Sequence, residues 1–262
     1  MKKLWIIGFF GFGLLLKGSE VPAWALNFFE LEVYPYDTAG PGELEVESLN
    51  SYFVNGQTAP PEPDQVADQH LWRSSLEMNY GLTDHLEAAG YLDVARTGDG
   101  SFDYAGARFH GRYRFLEKDE IPVNLGVYVE LEFPNRRFDP DNFSTELRLI
   151  LEKDLGPFTV QLNPIFEKSW SGESENVGTE FSYAAKVYYR WSSRLKPGIE
   201  FYGDIGPLDN PDPASQQKHY VIPVLDVILA RQLKLNTGIG FGLTPGSDSC
   251  LIKFNLEYEF LF

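Results

Sequence analysis

From Ala25 to the C-terminus the chain alternates apolar and polar residues with a period of two. The clearest stretch is the last. Ile252, Phe254, Leu256, Tyr258, Phe260 and Phe262 fall on one face, and Lys253, Asn255, Glu257 and Glu259 on the other. A second puts Val123, Leu125, Val127, Val129, Leu131 and Phe133 together, against Asn124, Tyr128, Glu130 and Glu132. A third sets Phe181, Tyr183, Val187, Tyr189 and Trp191 against Glu180, Ser182, Lys186 and Arg190. Period two is the signature of a strand with unlike faces, and no helical period competes with it. A chain made only of such ribbons must pair, cover or close every ribbon edge.

The pattern predicts twelve strands, over 43–54, 70–81, 85–96, 102–116, 121–133, 143–154, 157–169, 178–191, 195–205, 219–230, 232–244 and 249–262; ten or fourteen are the alternatives. Their connections alternate in length. Leu82-Thr83-Asp84, Leu155-Gly156 and Arg231 are tight, as are the links at 117–120 and 192–194. Long polar links, such as 55–69, 134–142, 170–177 and 206–218, fall between most of them; 97–101 and 245–248 are brief. A soluble sandwich gives no reason for this rhythm. A closed antiparallel transmembrane β-barrel does, with tight periplasmic turns and long extracellular loops.

Composition first points elsewhere. The 262 residues carry a net charge of −16, and the mean hydropathy of −0.25 is that of an ordinary soluble protein. In a barrel that average is uninformative, because each strand sums a lipid face and a lumen face. Lipid offers the backbone no hydrogen bonds, so a closed sheet satisfies every N–H and C=O without an open edge. Segments of about 9–11 residues suffice to cross when tilted. Tyr52, Trp72, Tyr80, Phe102, Phe133, Phe143, Phe158, Tyr189, Trp191, Phe260 and Phe262 lie near strand ends, where interfacial girdles belong. The acidic balance argues against nucleic acid as partner. The single Cys250 excludes a disulfide framework and a cysteine metal site.

Residues 1–25 read as a secretory signal. Lys2 and Lys3 precede an apolar run from Leu4 to Leu16, and Ala23-Trp24-Ala25 supplies small residues two apart, so cleavage is expected after Ala25. The run is shorter than the roughly 20 residues of a spanning helix. Lys2, Lys3, Lys17 and Glu20 sum to +2, which leaves a mature chain at −18. Residues 26–42 form an N-terminal strand-like segment, with Phe29, Leu31 and Val33 alternating with Glu30, Glu32 and Tyr34. It could lie in the periplasm, enter the lumen as a plug, or add a strand. The barrel proper is expected over 43–262.

The terminal run Phe254, Leu256, Tyr258, Phe260, Phe262 resembles the assembly signal of bacterial outer-membrane β-barrel proteins, in which alternating apolar residues end in an aromatic. That resemblance implies export through a Gram-negative cell envelope and insertion by the outer-membrane assembly machinery. The strand–turn–strand Tyr80-Gly81-Leu82-Thr83-Asp84-His85-Leu86-Glu87 is similar to a hairpin of the transporter-like barrel family named after the phenol-degradation (MetA) pathway.

The lumen face is charged. On 102–116 it carries Arg108, His110, Arg112 and Arg114, flanked by Glu87 and Asp93 on one neighbour and Glu130 and Glu132 on the other. One reading makes this a selectivity surface, a positive stripe facing a negative wall that suits small polar or zwitterionic solutes. The other makes the charges cross-strand partners that fill a narrow barrel. Both stand at this stage. The sequence therefore points to a monomeric porin-like channel for small solutes, in contact with outer-membrane lipid and lipopolysaccharide and without a cofactor. The alternatives are a closed structural barrel with partner-binding loops and, less favoured, an outer-membrane hydrolase. For the last, His70 and His219 lie near the outer rim, with no nucleophile–base pattern beside them. Asp139, Asp141, Asp209 and Asp212 read as turn formers, not a calcium loop. Gly238, Gly240 and Gly242 read as room left in the lumen, not a nucleotide loop.

Overall fold

The computed structural model describes residues 26–260, and the signal segment and Phe262 lie outside the described residues. Twelve antiparallel strands close on themselves. They are β1 (Leu44–Asn55), β2 (Trp72–Gly81), β3 (Leu86–Arg96), β4 (Phe102–Arg114), β5 (Asn124–Pro134) and β6 (Asp141–Leu155), then β7 (Phe158–Gly172), β8 (Glu180–Tyr189), β9 (Leu195–Pro207), β10 (Lys218–Ala230), β11 (Leu233–Gly242) and β12 (Cys250–Phe260). Each strand starts and ends within three residues of its expected bounds. The seam is made by β1 and β12, from Leu44 opposite Phe260 to Phe53 opposite Leu251. Both chain ends of the barrel thus lie at the short-turn end, as an even strand count requires.

Alternation sorts the two faces. Ile252, Phe254, Leu256, Tyr258 and Phe260 point outward and are exposed, while Lys253 and Asn255 point in and are buried. Leu76 and Met78 of β2 are likewise about half exposed, whereas Glu77 between them is fully buried. An exterior of this kind is stable only against an apolar solvent. Aromatic rings gather at both ends of it. Phe158 and Tyr189 (5.1 Å), Tyr113 and Phe115 (5.4 Å) and Tyr258 and Phe260 (4.7 Å) ring the short-turn end. Phe133 stacks on Phe143 at 5.2 Å, and Trp72 meets Phe102 edge-on, at the long-loop end.

Residues 26–40 run down the inside of the barrel and join no strand ladder. Leu26 and Phe28 sit at the long-loop end, against Phe53, Tyr202, Tyr220 and Ile222. Tyr34 lies midway, beside Tyr128 and Ile150. The chain then reaches the short-turn end, where the Gly42 amide donates to Gly81 O at 2.9 Å and the Gly81 amide to Glu43 O at 3.1 Å, and turns into β1. A side chain at Gly81 is not tolerated there, because a Cβ would stand 1.9 Å from Gly40 O. The alternation of Phe29, Leu31 and Val33 thus does not produce a ladder. It serves two different walls of the lumen.

Candidate functional site: a lumen filled by the N-terminal segment

The inner segment is held by side chains of the wall, which satisfy backbone groups that a ladder would otherwise take. The Tyr34 amide donates to Asn163 Oδ1 at 2.7 Å, and Asn163 Nδ2 returns a bond to Tyr34 O at 3.2 Å. The Tyr36 amide donates to Glu152 at 3.2 Å and the Ala39 amide to Glu87 at 2.6 Å. Ser51, Ser75 and Asn255 donate to the carbonyls of Phe28, Phe29 and Leu31 at 2.8, 2.9 and 3.2 Å. These bonds come from β1–β3, β6, β7 and β12, and β4 and β5 add the ion pair of Arg108 with Glu30 and the bond of Glu132 with Asn27.

Glu30 is the electrostatic centre of the segment. It is 3 % exposed, ion-paired to Arg108, and 3.2 Å from Arg148 Nη2. Arg108 is shared further, with Asp93 at 2.9 Å and Glu130 at 3.2 Å. Arg148 also holds Glu146 at 2.8 Å. Aromatic rings line this layer. Arg108 lies 4.0 Å from the Tyr91 ring centre, and Arg148 lies 4.8 and 4.9 Å from those of Tyr34 and Tyr128. The Tyr34 and Tyr91 hydroxyls meet at 2.6 Å, and Tyr91 reaches His110 Nδ1 at 3.0 Å.

The lumen residues singled out from the sequence are thus placed as follows. Arg108, His110 and Arg112 face inward and are buried, as are Glu87, Asp93, Glu130 and Glu132. Arg112 pairs with Glu87 at 2.8 Å, and His110 Nε2 lies 3.6 Å from the same carboxylate. Glu132 accepts from Asn27 Nδ2 at 3.3 Å. Arg114 stands apart at the short-turn end, where it pairs with Glu117 at 3.2 Å and donates to Asp84 O at 2.7 Å. Of the expected assembly-signal residues, Phe254, Leu256, Tyr258 and Phe260 present an outward row on β12.

Two features escaped the sequence reading. The first is Glu30 itself, which the alternation gave no reason to join to Arg108. The second is an apolar patch inside the barrel. Phe53, Ile165, Ala184, Tyr202, Tyr220, Ile222, Val224 and Leu251 face the lumen and pack on Leu26, Phe28, Leu31 and Val33. Its signal was legible in β10, where apolar residues occupy both faces from Tyr220 to Leu225. Gly238 and Gly240 belong to this patch. A Cβ on Gly238 would lie 2.8 and 2.9 Å from Ile222 and Val224, and one on Gly240 2.8 Å from Leu251.

Below Tyr34 the lumen opens into a cavity of about 580 Å³ toward the short-turn end, whereas the outer half retains a pocket of about 50 Å³ beside Asn27 and Phe138. The larger cavity is lined by acids of the inner segment and seam, Glu32, Glu45 and Glu47, and on the far side by both signs, Arg190, Arg194 and Lys196 with Glu152, Asp154 and Asp226. Glu32, Glu45 and Glu47 have no cation within ion-pair distance among the described residues. The four histidine rings contact tyrosine hydroxyls, glutamine side chains, carboxylates and a backbone carbonyl. Among the described residues none is hydrogen-bonded to a serine or threonine hydroxyl. Asp139 and Asp141 cap loop amides, of Asp141 at 2.8 Å and Ser174 at 2.9 Å.

No family model matches the sequence, and no curated protein matches it. Solved structures do match in fold. The COG4313 outer membrane channel from Pseudomonas putida F1 superposes with a TM-score of 0.59 at 14% identity, over 89% of this chain and 100% of that one. The KdgM porin gives 0.57 at 9% identity, over 83% and 99%, and the NanC porin 0.53 at 9%, over 84% and 100%. This chain has the twelve-stranded barrel architecture that those proteins share.

Proposed function

We propose that this chain is a monomeric channel of the bacterial outer membrane, passing small polar solutes through a lumen whose width is set by residues 26–40. The observation that carries this reading is the divided lumen: a charged cavity of about 580 Å³ at the short-turn end, continued outward by a segment held by hydrogen bonds and ion pairs rather than by a strand ladder. A segment so attached can move without unzipping the barrel. The cavity has an excess of acids on its β12–β1 wall, while the opposite wall interleaves both signs, with Arg194 and Lys196 beside an Arg190–Asp154 pair, so a solute crossing it meets an uneven field. Dipolar and zwitterionic solutes suit that field better than ions of one sign. Arg108, His110 and Arg112, with Glu87, Asp93, Glu130 and Glu132, then shape the constriction and bind the segment.

The wider setting belongs to the same proposal. Export by cleavage after Ala25, insertion through the Phe254–Phe262 signal, and lipid and lipopolysaccharide around the apolar exterior are consistent with an outer-membrane address. Kinship with the family named after phenol degradation rests on the Tyr80–Glu87 hairpin, whose turn is closed by the Leu82 and Thr83 amides on Leu86 O at 2.8 and 3.0 Å. The test is planar-bilayer recording of the purified mature chain in symmetric salt, followed by reversal potentials across a salt gradient. Discrete steps are expected, with Arg194→Glu plus Lys196→Glu shifting selectivity toward cations. Silence over many verified insertions refutes the channel, and an unchanged reversal potential refutes the assigned field.

A further inference from the structure

One basic side chain at the long-loop end is answered by no acid. Arg96 closes β3 and is exposed, and its alternation with Leu92 and Val94 places it on the outward face. The neighbouring cations are committed. Arg136 pairs with Glu173, Arg137 pairs with Asp103 at 2.7 Å, and Arg73 turns inward to Asp68 at 2.6 Å. Lys168, also outward, donates to the carbonyls of Glu175 and Val177. Asp99, on the same hairpin as Arg96, turns onto its own loop, where it accepts from Thr97 Oγ1 and from the Ser101 amide and hydroxyl at 3.0 and 2.9 Å. Among the described residues no acid stands within ion-pair distance of Arg96, in a chain whose net charge is −16.

Its surroundings belong to a membrane interface. Tyr52, Trp72, Arg96 and Phe102 are successive partners across β1–β4 and form one row around the wall. With strands about 4.8 Å apart, the row spans about 14 Å. Arg96 lies 5.7 Å from the Phe102 ring centre, and the Trp72 ring meets that of Phe102 edge-on at 6.2 Å. The guanidinium reaches toward the hairpin loop, since a Cβ added to Gly100 would lie 3.8 Å from Arg96 Nη2. A long cationic side chain in this posture carries its charge to the headgroup level and lays its stem on apolar surface. Four residues toward the short-turn end, Leu76 and Leu92 stand opposite one another and are about half exposed. They lie about 13 Å along the strands from the Arg96 row.

We propose that Arg96, framed by Trp72 and Phe102, binds a phosphate of the lipopolysaccharide anchor, lipid A, with an acyl chain lying along Leu92 and Leu76. The site presupposes the outer-membrane address proposed above, which turns the long-loop end to the lipopolysaccharide leaflet. A guanidinium suits this ligand, because its planar fork takes two phosphate oxygens at once. A phosphatidylethanolamine phosphate brings its own ammonium, so the phosphomonoester of lipid A is the better match to a cation without a partner. The apolar wall below supplies what a free phosphate cannot use.

The experiment uses the full mature chain refolded into lipopolysaccharide-free maltoside micelles, with bound lipids counted by native mass spectrometry. The wild type should retain one copy of bisphosphorylated lipid A at least about tenfold more tightly than the same lipid stripped of its phosphates, or than phosphatidylethanolamine. Inorganic phosphate should not displace it. Arg96→Gln should lower the affinity for that copy about tenfold, the loss of one charge-assisted contact, and Arg96→Lys should restore part of it. Lys153→Gln, at the short-turn end of β6, should change nothing. Equal retention of phosphorylated and stripped lipid A by the wild type overturns the proposal. So does Arg96→Gln binding lipid A like the wild type, or displacement by inorganic phosphate alone. Heat-modified migration before any lipid is added tests the outer-membrane barrel by itself, so loss of that reading and loss of the site give different results.

Discussion

Replacing Glu30 with Ala removes the one acid that ties the inner segment to Arg108 and Arg148 together. Breaking a buried ion pair by removing one partner costs about 3–5 kcal/mol, because the other charge is left uncompensated. Here the loss is smaller. Arg108 keeps Asp93 at 2.9 Å and Glu130 at 3.2 Å, and Arg148 keeps Glu146 at 2.8 Å. About 2 kcal/mol is therefore expected to disappear from the seating of the segment, and not from the barrel, whose strand ladders Glu30 does not join. That corresponds to about a 30-fold shift from seated to released segment. The assay is the frequency of full-width openings in single-channel recordings, with the heat-modified gel shift as a control for the barrel. Glu30→Ala should raise the opening frequency by about 30-fold and leave the gel shift within a few degrees of the wild type. Glu30→Gln, which keeps hydrogen-bonding capacity, should fall between. An opening frequency within twofold of the wild type refutes the role assigned to Glu30. A barrel that melts early would show instead that Glu30 supports the wall.

Other predictions concern separate parts of the molecule. Phe28→Ala removes a ring that meets Phe53 and Tyr220 edge-on at 5.1 and 5.5 Å, and about 3 kcal/mol should be lost from the outer anchorage, read as faster maleimide labelling of a cysteine placed at Leu31 in a Cys250→Ser background. Gly238→Val drives a side chain into Ile222, Val224 and the Pro223 carbonyl, so unfolding in a heated detergent gel should occur at a lower temperature, by about 1–3 kcal/mol of overpacking. Burial pushes the Asp139 carboxyl up to about 7; its bond from the Asp141 amide opposes this rise and the Asp141 charge adds to it. The folded value lies above the unfolded 3.8, so the seating of the 135–140 loop is strongest in acid and weakens as pH rises from about 4 to about 7. Tryptic cleavage at Arg136 and Arg137, normalised to a peptide substrate, should speed up over that range in the wild type and stay flat in Asp139→Asn.

The wall of the barrel was legible in the sequence because lipid enforces strict alternation. A one-residue slip in β12 would turn Lys253 and Glu257 into hydrocarbon, so register and face were both readable from residue type alone. The tight turns at Gly156 and Arg231 fixed the alternating loop lengths for the same reason. The interior was less legible. A lumen has no single solvent, so its residues are chosen by what occupies it. Ile222, Val224 and Leu251 look misplaced in a water-filled channel and make sense only once Leu26, Phe28 and Leu31 are against them. The same holds for Arg108, whose partners come from β3, β5 and the inner segment. The row of arginines on β4 was visible, and so was the reading in which Arg108 and Arg112 pair with acids of the neighbouring strands, but not that Arg114 belongs to a turn. The stretch 29–34 carries a strand pattern with no strand, because alternate residues meet unlike walls on opposite sides.

The most direct test compares the mature chain with one lacking residues 26–39, which ends the inner segment before the turn that enters β1. Both are recorded in planar bilayers under identical salt. Unit conductance should rise several-fold in the shortened chain, which should stay folded by heat-modified migration. Equal conductance in two folded barrels would contradict the account, because the segment would then not set the width of the lumen.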